Sequence, residues 1–392
     1  MSNRQMAARI NRRLTIAMLV PSIAVSPEFE TPTVSLLAEA IAQCANVHVY
    51  PIVGGGSYNT VTDTGLTIHP VASGERFSRR AAATIRSLLR DHRRQPFDLI
   101  HALWLHEPGT IAVAAGQLLR VPVIASIGGA EVVALPDINY GALRTARGRF
   151  MSAHVLQQAT FVTGGSEYVI GKARRLVPHR DERRFRRVPL PVDMSAFAPA
   201  SNRHRTRNAC RVLHAASLIP VKDQATLLYA FRRVLDLVPD AILTIAGEDP
   251  FGHRTELEAL RERLGLGGAV QFVGHRSHAE MPTLYHETDV FVLSSRHESQ
   301  GMVVLEAAAA GVPTVGTDVG VVRDLAPDAA VSVRPGDPIA LGEAIAGVLI
   351  DSPRRLRLGE RARQRVGSEF DVEPVRDAFV DLYRDAIAMR RR

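Results

Sequence analysis

Residues 290–314 read VFVLSSRHESQGMVVLEAAAAGVPT, and the fold can be worked out from this order of residue types. Val290 to Ser294 is a short apolar run of strand character, a polar loop follows, and from Gly301 an alanine-rich stretch predicts a helix. A strand feeding a helix through a glycine-containing loop is the unit of a parallel α/β sheet. Two glutamates, Glu298 and Glu306, stand eight residues apart across that loop. Glu306 lies about five positions into the helix, roughly 7 Å along its axis, and helical side chains lean toward the amino end, so both carboxylates reach toward the loop.

Working outward, the same alternation fills the chain. Candidate strands in the first half are Leu14–Val20, Asn46–Val53, Leu66–Val71, Phe97–Ala102, Val121–Ile127, Thr160–Thr163 and Phe185–Val188. In the second half they are Cys210–Ser217, Ala241–Ala246, Val270–Val273, Val290–Ser294, Pro313–Val315 and Ala330–Val333. Helical patterns between them predict an α/β protein of two Rossmann-like, doubly wound domains facing across a cleft. A chain of 392 residues also suits two cores better than one. Pro189-Leu190-Pro191 and the polar segment Ala198–Asn208 mark a linker, placing the first domain at 1–192 and the second at 193–371. The tail, 372–392, carries Val375, Phe379, Leu382, Tyr383 and Ile387 on one helical face and is expected to return to the first domain.

In open parallel sheets ligands bind beyond the carboxyl ends of the strands. There the amides of Gly301, Met302 and Val303, at the positive end of a helix dipole, form an anion site that glycine leaves open to close approach. Two carboxylates beside a diphosphate repel it unless each grips hydroxyls. A sugar nucleotide offers such hydroxyls on its ribose and its sugar and suits the pair better than a nicotinamide cofactor does.

The segment resembles the signature of the retaining family-four glycosyltransferases of GT-B fold: a glutamate, a glycine, a second glutamate eight residues after the first, then Ala-x-Ala-x-Gly-x-Pro. The likeness extends through HAASLIPVKDQATLLYAF (214–231), LTIAGEDP (243–250) and VQFVGH (270–275). It implies a sugar-nucleotide substrate with no cofactor required. It also implies that Glu298 contacts the donor sugar, Glu306 the ribose, backbone near Gly274 and His275 the base, and Lys222 the diphosphate. Lys222 is one of only two lysines, Lys172 being the other, and a cation at the start of a helix is favoured only with an anion beside it. The sequence departs from the family in having Ser217 where a second cation often stands and Gln300 in place of phenylalanine. Charge compensation is then expected either to be weaker or to come from Arg296 or from the first domain.

The first half is less specific. FDLIHALWLHEPG (97–109) resembles the family's strand ending in histidines near the acceptor, with His106 as the candidate contact, while Ile127 replaces a later histidine. Gly128 and Gly129 fit either close approach to the donor sugar or a simple turn, and Glu131 either a hydroxyl ligand or a helix cap. His101, His106 and Glu107 lack the HExxH spacing of a metal site, so no metal is expected. Gly54-Gly55-Gly56 follows a strand without forming the G-x-G-x-x-G of a dinucleotide fold.

The net charge is +8, and the whole excess lies in residues 1–195, with 23 Lys and Arg against 14 Asp and Glu. The second half is balanced and lacks aromatic–basic interleaving, which argues against nucleic acid. Between Phe77 and Arg94 an apolar stripe faces away from Arg79, Arg86, Arg90, Arg93 and Arg94, so the Arg79–Arg94 helix presents either an ordinary solvated face or one for an anionic membrane surface. Cys44 and Cys210 lie far apart in stretches read as core, which fits a reducing cytoplasm, with peripheral attachment to the inner membrane face through the arginine helix. The run Leu14–Ser26 is shorter than a membrane span; with Arg12-Arg13 before it and Ala24-Val25-Ser26 ending it, it fits either an export signal or, as its followers favour, a first strand.

The expectation is a glycosyltransferase moving a sugar, with retention, to a glycan, lipid-linked or small-molecule acceptor. The alternatives are a sugar-nucleotide epimerase and a non-catalytic sugar-nucleotide-binding protein.

Overall fold

A computed structural model describes residues 13–21, 32–53, 60–62, 65–70, 76–199 and 210–390. Strand β1 (Leu14–Val20) is buried from Thr15 onward, and burial on both faces is why it reads as an unbroken apolar run. It joins β2 (Ala45–Pro51), β3 (Thr60–Val61), β4 (Thr67–Ile68), β5 (Leu99–Leu103), β6 (Val123–Ser126), β7 (Phe161–Gly164) and β8 (Phe185–Arg187) in the order β3-β4-β2-β1-β5-β6-β7-β8. All of these pairings are parallel except β3 with β4. The strand expected over Leu66–Val71 shrinks to Thr67–Ile68, because Pro70 has no N–H to extend the ladder.

A second sheet, parallel at every pairing, is built from β9 (Arg211–Ala215), β10 (Ile242–Ala246), β11 (Val270–Gly274), β12 (Val290–Leu293), β13 (Thr314–Thr317) and β14 (Ala330–Val333). Its order is β11-β10-β9-β12-β13-β14. Helices cover both faces of each sheet, so the architecture is the expected pair of Rossmann-like domains. In each sheet the order reverses beside the first strand, at β1/β5 and at β9/β12, and the helices leaving the two strands there diverge to open a crevice.

The helix Val372–Arg390 returns to the first sheet, where Val375, Phe379, Leu382, Tyr383 and Ala386 share a core with Ile16, Met18 and Leu37. Outgoing and returning crossings lie side by side, with Val192 N donating to Phe370 O at 2.8 Å. His101, expected near the acceptor, is instead fully buried in β5, its Nδ1 2.8 Å from the Tyr383 hydroxyl and its Nε2 2.8 Å from Ser126 Oγ. Burial pushes its pKa down to about 3, so it fastens the returning helix as a neutral ring.

One further expectation changes. Cys44 is exposed after the helix Pro32–Ala42, although Cys210 is half-buried as expected. Arg12, Ala24-Val25-Ser26, Gly54-Gly55-Gly56 and linker residues 200–209 lie outside the described residues. No described helix is long and apolar enough to cross a membrane. The helix Phe77–Arg94 buries Thr84, Leu88 and Asp91 and leaves Arg79, Arg86, Arg90, Arg93 and Arg94 exposed.

Candidate functional site

The loops leaving β9 and β12, at the second sheet's reversal point, meet in a cleft of about 450 Å³ lined by Ser217, Lys222, Glu298, Gly301, Met302 and Val303, with Ile127 and Gly128 opposite. A cavity of this size suits a small-molecule ligand. The loop after β9 is held from below by His214. Its Nδ1–H donates to Val292 O at 3.0 Å, and its Nε2 accepts from the Gln224 amide, which also donates to Ser217 O at 3.0 Å. Burial drives the His214 pKa down to about 4, which keeps this ring neutral and its two roles fixed. Ser294 Oγ donates to Lys222 O and Arg296 N to Val221 O, each at 2.8 Å, so the two loops move as one unit.

Lys222 closes a short turn, Pro220–Lys222, just before the helix Gln224–Leu237. Its ammonium sits 2.6 Å from Glu298 Oε1, which also accepts from Ser295 Oγ at 2.7 Å. The anion that the sequence demands beside Lys222 is therefore, in this structure, the protein's own carboxylate. Burial would raise the Glu298 pKa, but Lys222 and Ser295 outweigh it and hold the carboxyl below its ordinary value.

Gly301 caps the helix Met302–Ala309 with φ +94°, a conformation glycine adopts without strain. None of the Gly301, Met302 and Val303 amides donates to another described residue, and all three lie on the cleft. Glu306 is 8% exposed, one turn deeper, and its Oε2 accepts from the Tyr285 hydroxyl at 2.9 Å. Its other oxygen faces His278 at 3.9 Å. Burial raises the Glu306 pKa, against the lowering pull of Tyr285 and His278. Sequence reasoning missed Tyr285: it sits on the separate short helix Met281–His286, and only tertiary packing brings it to Glu306.

Gly274 and His275 line a neighbouring pocket of about 260 Å³ with Leu218, Gly247, Arg254 and Phe272. Ser217 Oγ donates to Glu248 Oε1 at 3.2 Å, between the two cavities. Arg296 pairs with Asp137 of the first domain, so the expected compensating charge is already partnered across the cleft.

The domains are joined beside the cleft by hydrogen bonds from the loop after β12. His297 Nε2–H donates to Gly129 O at 3.1 Å and accepts at Nδ1 from Tyr168, while Ser299 Oγ donates to Ile127 O at 3.3 Å. Gln300, 6% exposed, uses both ends of its amide on Leu190: Oε1 accepts from the backbone N–H and Nε2 donates to the carbonyl, each at 2.8 Å. The glutamine that departs from the family pattern thus ties the loop after β12 to the interdomain crossing.

On the first domain, Pro21 after β1 and the loop leaving β5 border a second pocket, about 420 Å³, lined also by Ile52, Trp104, His106, Glu107 and Gly128. Ser152 Oγ donates to Glu131 O at 2.7 Å, so its contact with His106 Nε2 at 3.1 Å is accepted from an Nε2–H, which leaves His106 Nδ1 as an acceptor. Glu131 does not offer a hydroxyl grip: 6% exposed, it accepts from the amides of Leu105, Gly128 and Gly129 and serves as an anchor for the glycine turn. Glu107 is bound by both oxygens to Arg80 at 2.9 Å.

Residues 202–365 match the family model described as glycosyl transferases group 1. A glycogen synthase of Mycobacterium tuberculosis is 30% identical over 307 residues, 78% of this chain and 72% of that protein. A D-inositol 3-phosphate glycosyltransferase of Geodermatophilus obscurus is 28% identical over 81% of this chain and 75% of its own. Among solved structures, a sucrose-phosphate synthase from Thermosynechococcus elongatus superposes with a TM-score of 0.78 at 21% identity, covering 96% of this chain and all (100%) of that one. Anabaena HepE in complex with UDP-glucose gives 0.74 at 17% identity, covering 95% and 100%.

Proposed function

Because the chain belongs to the glycosyl transferases group 1 family and is a glycosyltransferase of GT-B fold, we propose that it takes a sugar from a nucleoside-diphosphate donor held in the β9/β12 cleft and passes it, with retention, to an acceptor hydroxyl. The observation that carries this reading is the Lys222–Glu298 pair at the mouth of a helix whose first amides are open. A diphosphate placed there meets a cation and aligned N–H donors, while the carboxylate it displaces from Lys222 turns to the sugar hydroxyls.

Met302 and Val303 would lie against the diphosphate, Glu306 against the ribose, and Gly274 and His275 against the base in the adjoining pocket. As the bond from the sugar to the diphosphate breaks, negative charge grows on the leaving oxygen, so fixed amides and Lys222 act more strongly on the transition state than on the bound donor. The acceptor hydroxyl enters on the face the diphosphate leaves, its oxygen bonds to the anomeric carbon, and its proton passes to the departing phosphate oxygen. No side-chain nucleophile is required. His106, with Nδ1 accepting, would orient that hydroxyl from the first domain.

We take residues 1–192 with 372–392 as the acceptor domain and 193–371 as the donor domain. Attachment to anionic membranes is supported by the five exposed arginines of the Phe77–Arg94 helix, and a reducing cytoplasm by the free Cys44 and Cys210. The deciding experiment incubates the protein with a panel of UDP- and GDP-sugars and candidate glycoside acceptors. Release of nucleoside diphosphate matched by a glycoside of unchanged anomeric configuration is expected; an inverted product sinks the retention claim, and no stabilisation by any nucleoside diphosphate sinks the donor site.

A further inference from the structure

Trp104 is the chain's only tryptophan, and it stands where the two pockets adjoin, bordering both. Its backbone holds φ +80° and ψ 142°, a conformation that L residues avoid. The strain is fixed from both sides, since Trp104 N donates to Ser126 O at 2.8 Å and Gly109 N to Trp104 O at 3.0 Å. The result is an indole left 37% exposed whose ring lies so close to Gly128 that a Cβ there would come within 1.9 Å of Cδ1. No described residue accepts from the indole N–H. A large aromatic face kept open by strain, beside the point where the donor's sugar would end, is a surface for something flat and apolar on one side with hydroxyls at its rim.

The charge in this pocket narrows the choice further. Its acidic members are both engaged, Glu107 by Arg80 and Glu131 by three backbone amides. Its lining contains no Lys or Arg among the described residues. A phosphorylated or carboxylated acceptor would lose its hydration while Arg80, the cation at the pocket's edge, is already held by both oxygens of Glu107. An uncharged sugar ring loses little by stacking its C–H face on an indole, and its hydroxyls can reach His106 Nδ1.

We propose that Trp104 is the platform for the acceptor and that the pocket selects a neutral glycoside over a phosphorylated one. The assignment rests on the donor reading for its role in transfer, but acceptor binding can be measured alone. Since Trp104 is the only tryptophan, its emission reports the pocket directly. Titration with methyl α-glucoside, methyl α-mannoside and maltose is expected to shift that emission saturably, with glucose 6-phosphate and inositol 1-phosphate binding at least tenfold more weakly. Equal or tighter binding of the phosphorylated compounds, or no shift with any neutral glycoside, overturns the proposal. By calorimetry, Trp104→Ala should lose the glycoside affinity tenfold or more and Trp104→Phe should keep it within a few-fold; wild-type affinity in Trp104→Ala also overturns it. Thermal shifts with UDP and GDP test the donor site separately, so glycoside binding without nucleotide stabilisation would remove the donor reading and leave the Trp104 platform standing.

Discussion

Lys222 and Glu298 pair at 2.6 Å on one wall of the cleft, the first from the loop after β9 and the second from the loop after β12. If a diphosphate takes Lys222 as proposed, donor binding exchanges one anion for another. This gives the two residues opposite predicted effects. Lys222→Ala should weaken UDP or GDP binding by about 1.5–3 kcal/mol, the usual cost of a lost charged hydrogen bond. Glu298→Gln, which removes the competing negative charge but keeps a similar shape, should bind the free nucleotide at least as well as wild type while transfer slows. Calorimetry on both variants checks this; a parallel loss of affinity in the two would contradict the exchange.

Glu306 carries a different signature, because its pKa is raised, first by burial. An acid harder to ionise in the fold than in the unfolded chain lowers stability as pH rises through its unfolded and then its folded pKa, and the penalty vanishes below both. Glu306→Gln keeps an oxygen for Tyr285 and removes the penalty. Its melting temperature should exceed wild type at pH 8, with the difference closing toward pH 4, while nucleotide affinity drops roughly ten- to hundredfold through a lost charged hydrogen bond to ribose. A variant less stable than wild type at pH 8 would show that the carboxylate's charge is compensated.

Acid should also act through His101 and His214, whose pKa values are pushed down to about 3 and about 4. Both are neutral in the fold, whereas unfolded histidine takes a proton near pH 6.5. Below that value the unfolded chain binds more protons, so their contribution to stability is lost from about pH 6.5 down to the folded values. The melting temperature of His101→Gln should therefore vary less between pH 6.5 and 4 than that of wild type. An unchanged slope would mean that His101 is protonated within the fold.

Gln300 is predicted to hold the domains in register. Gln300→Ala removes both bonds to Leu190 and leaves two backbone groups short of partners, a loss of about 1–3 kcal/mol. Limited proteolysis should then cut faster near 189–191, and nucleotide should restore less protection than in wild type. If proteolysis is unaltered, the interdomain bonds of His297 and Ser299 suffice alone.

What the sequence made legible follows from periodicity. Apolar strand runs such as Leu14–Val20 and helical patterns such as 372–392 are local signals, and each is a direct consequence of which faces must be buried. The order of strand, loop, Gly301 and helix is likewise a local signal, and the structure shows that strand, loop, glycine cap and helix in that order. Partnerships are another matter. In sequence His106 reads as the acceptor contact and Glu131 as either a hydroxyl ligand or a helix cap; in the fold Glu131 is taken up by three amides while the histidine keeps an acceptor nitrogen. Tyr285 beneath Glu306 and Gln300 on Leu190 join residues 21 and 110 positions apart.

The sequence by itself determined the two doubly wound sheets, the returning helix and the strand–loop–helix order around Gly301, because these depend on residue type at short spacing. Only the tertiary structure decided that Lys222 is paired with Glu298, that His101 is a buried fastener of the returning helix, and that Trp104 is held open between two pockets. Hydrogen-bond partners, burial and the charge of a cavity are set by chain segments that meet only on folding, and no local pattern records which segments those will be.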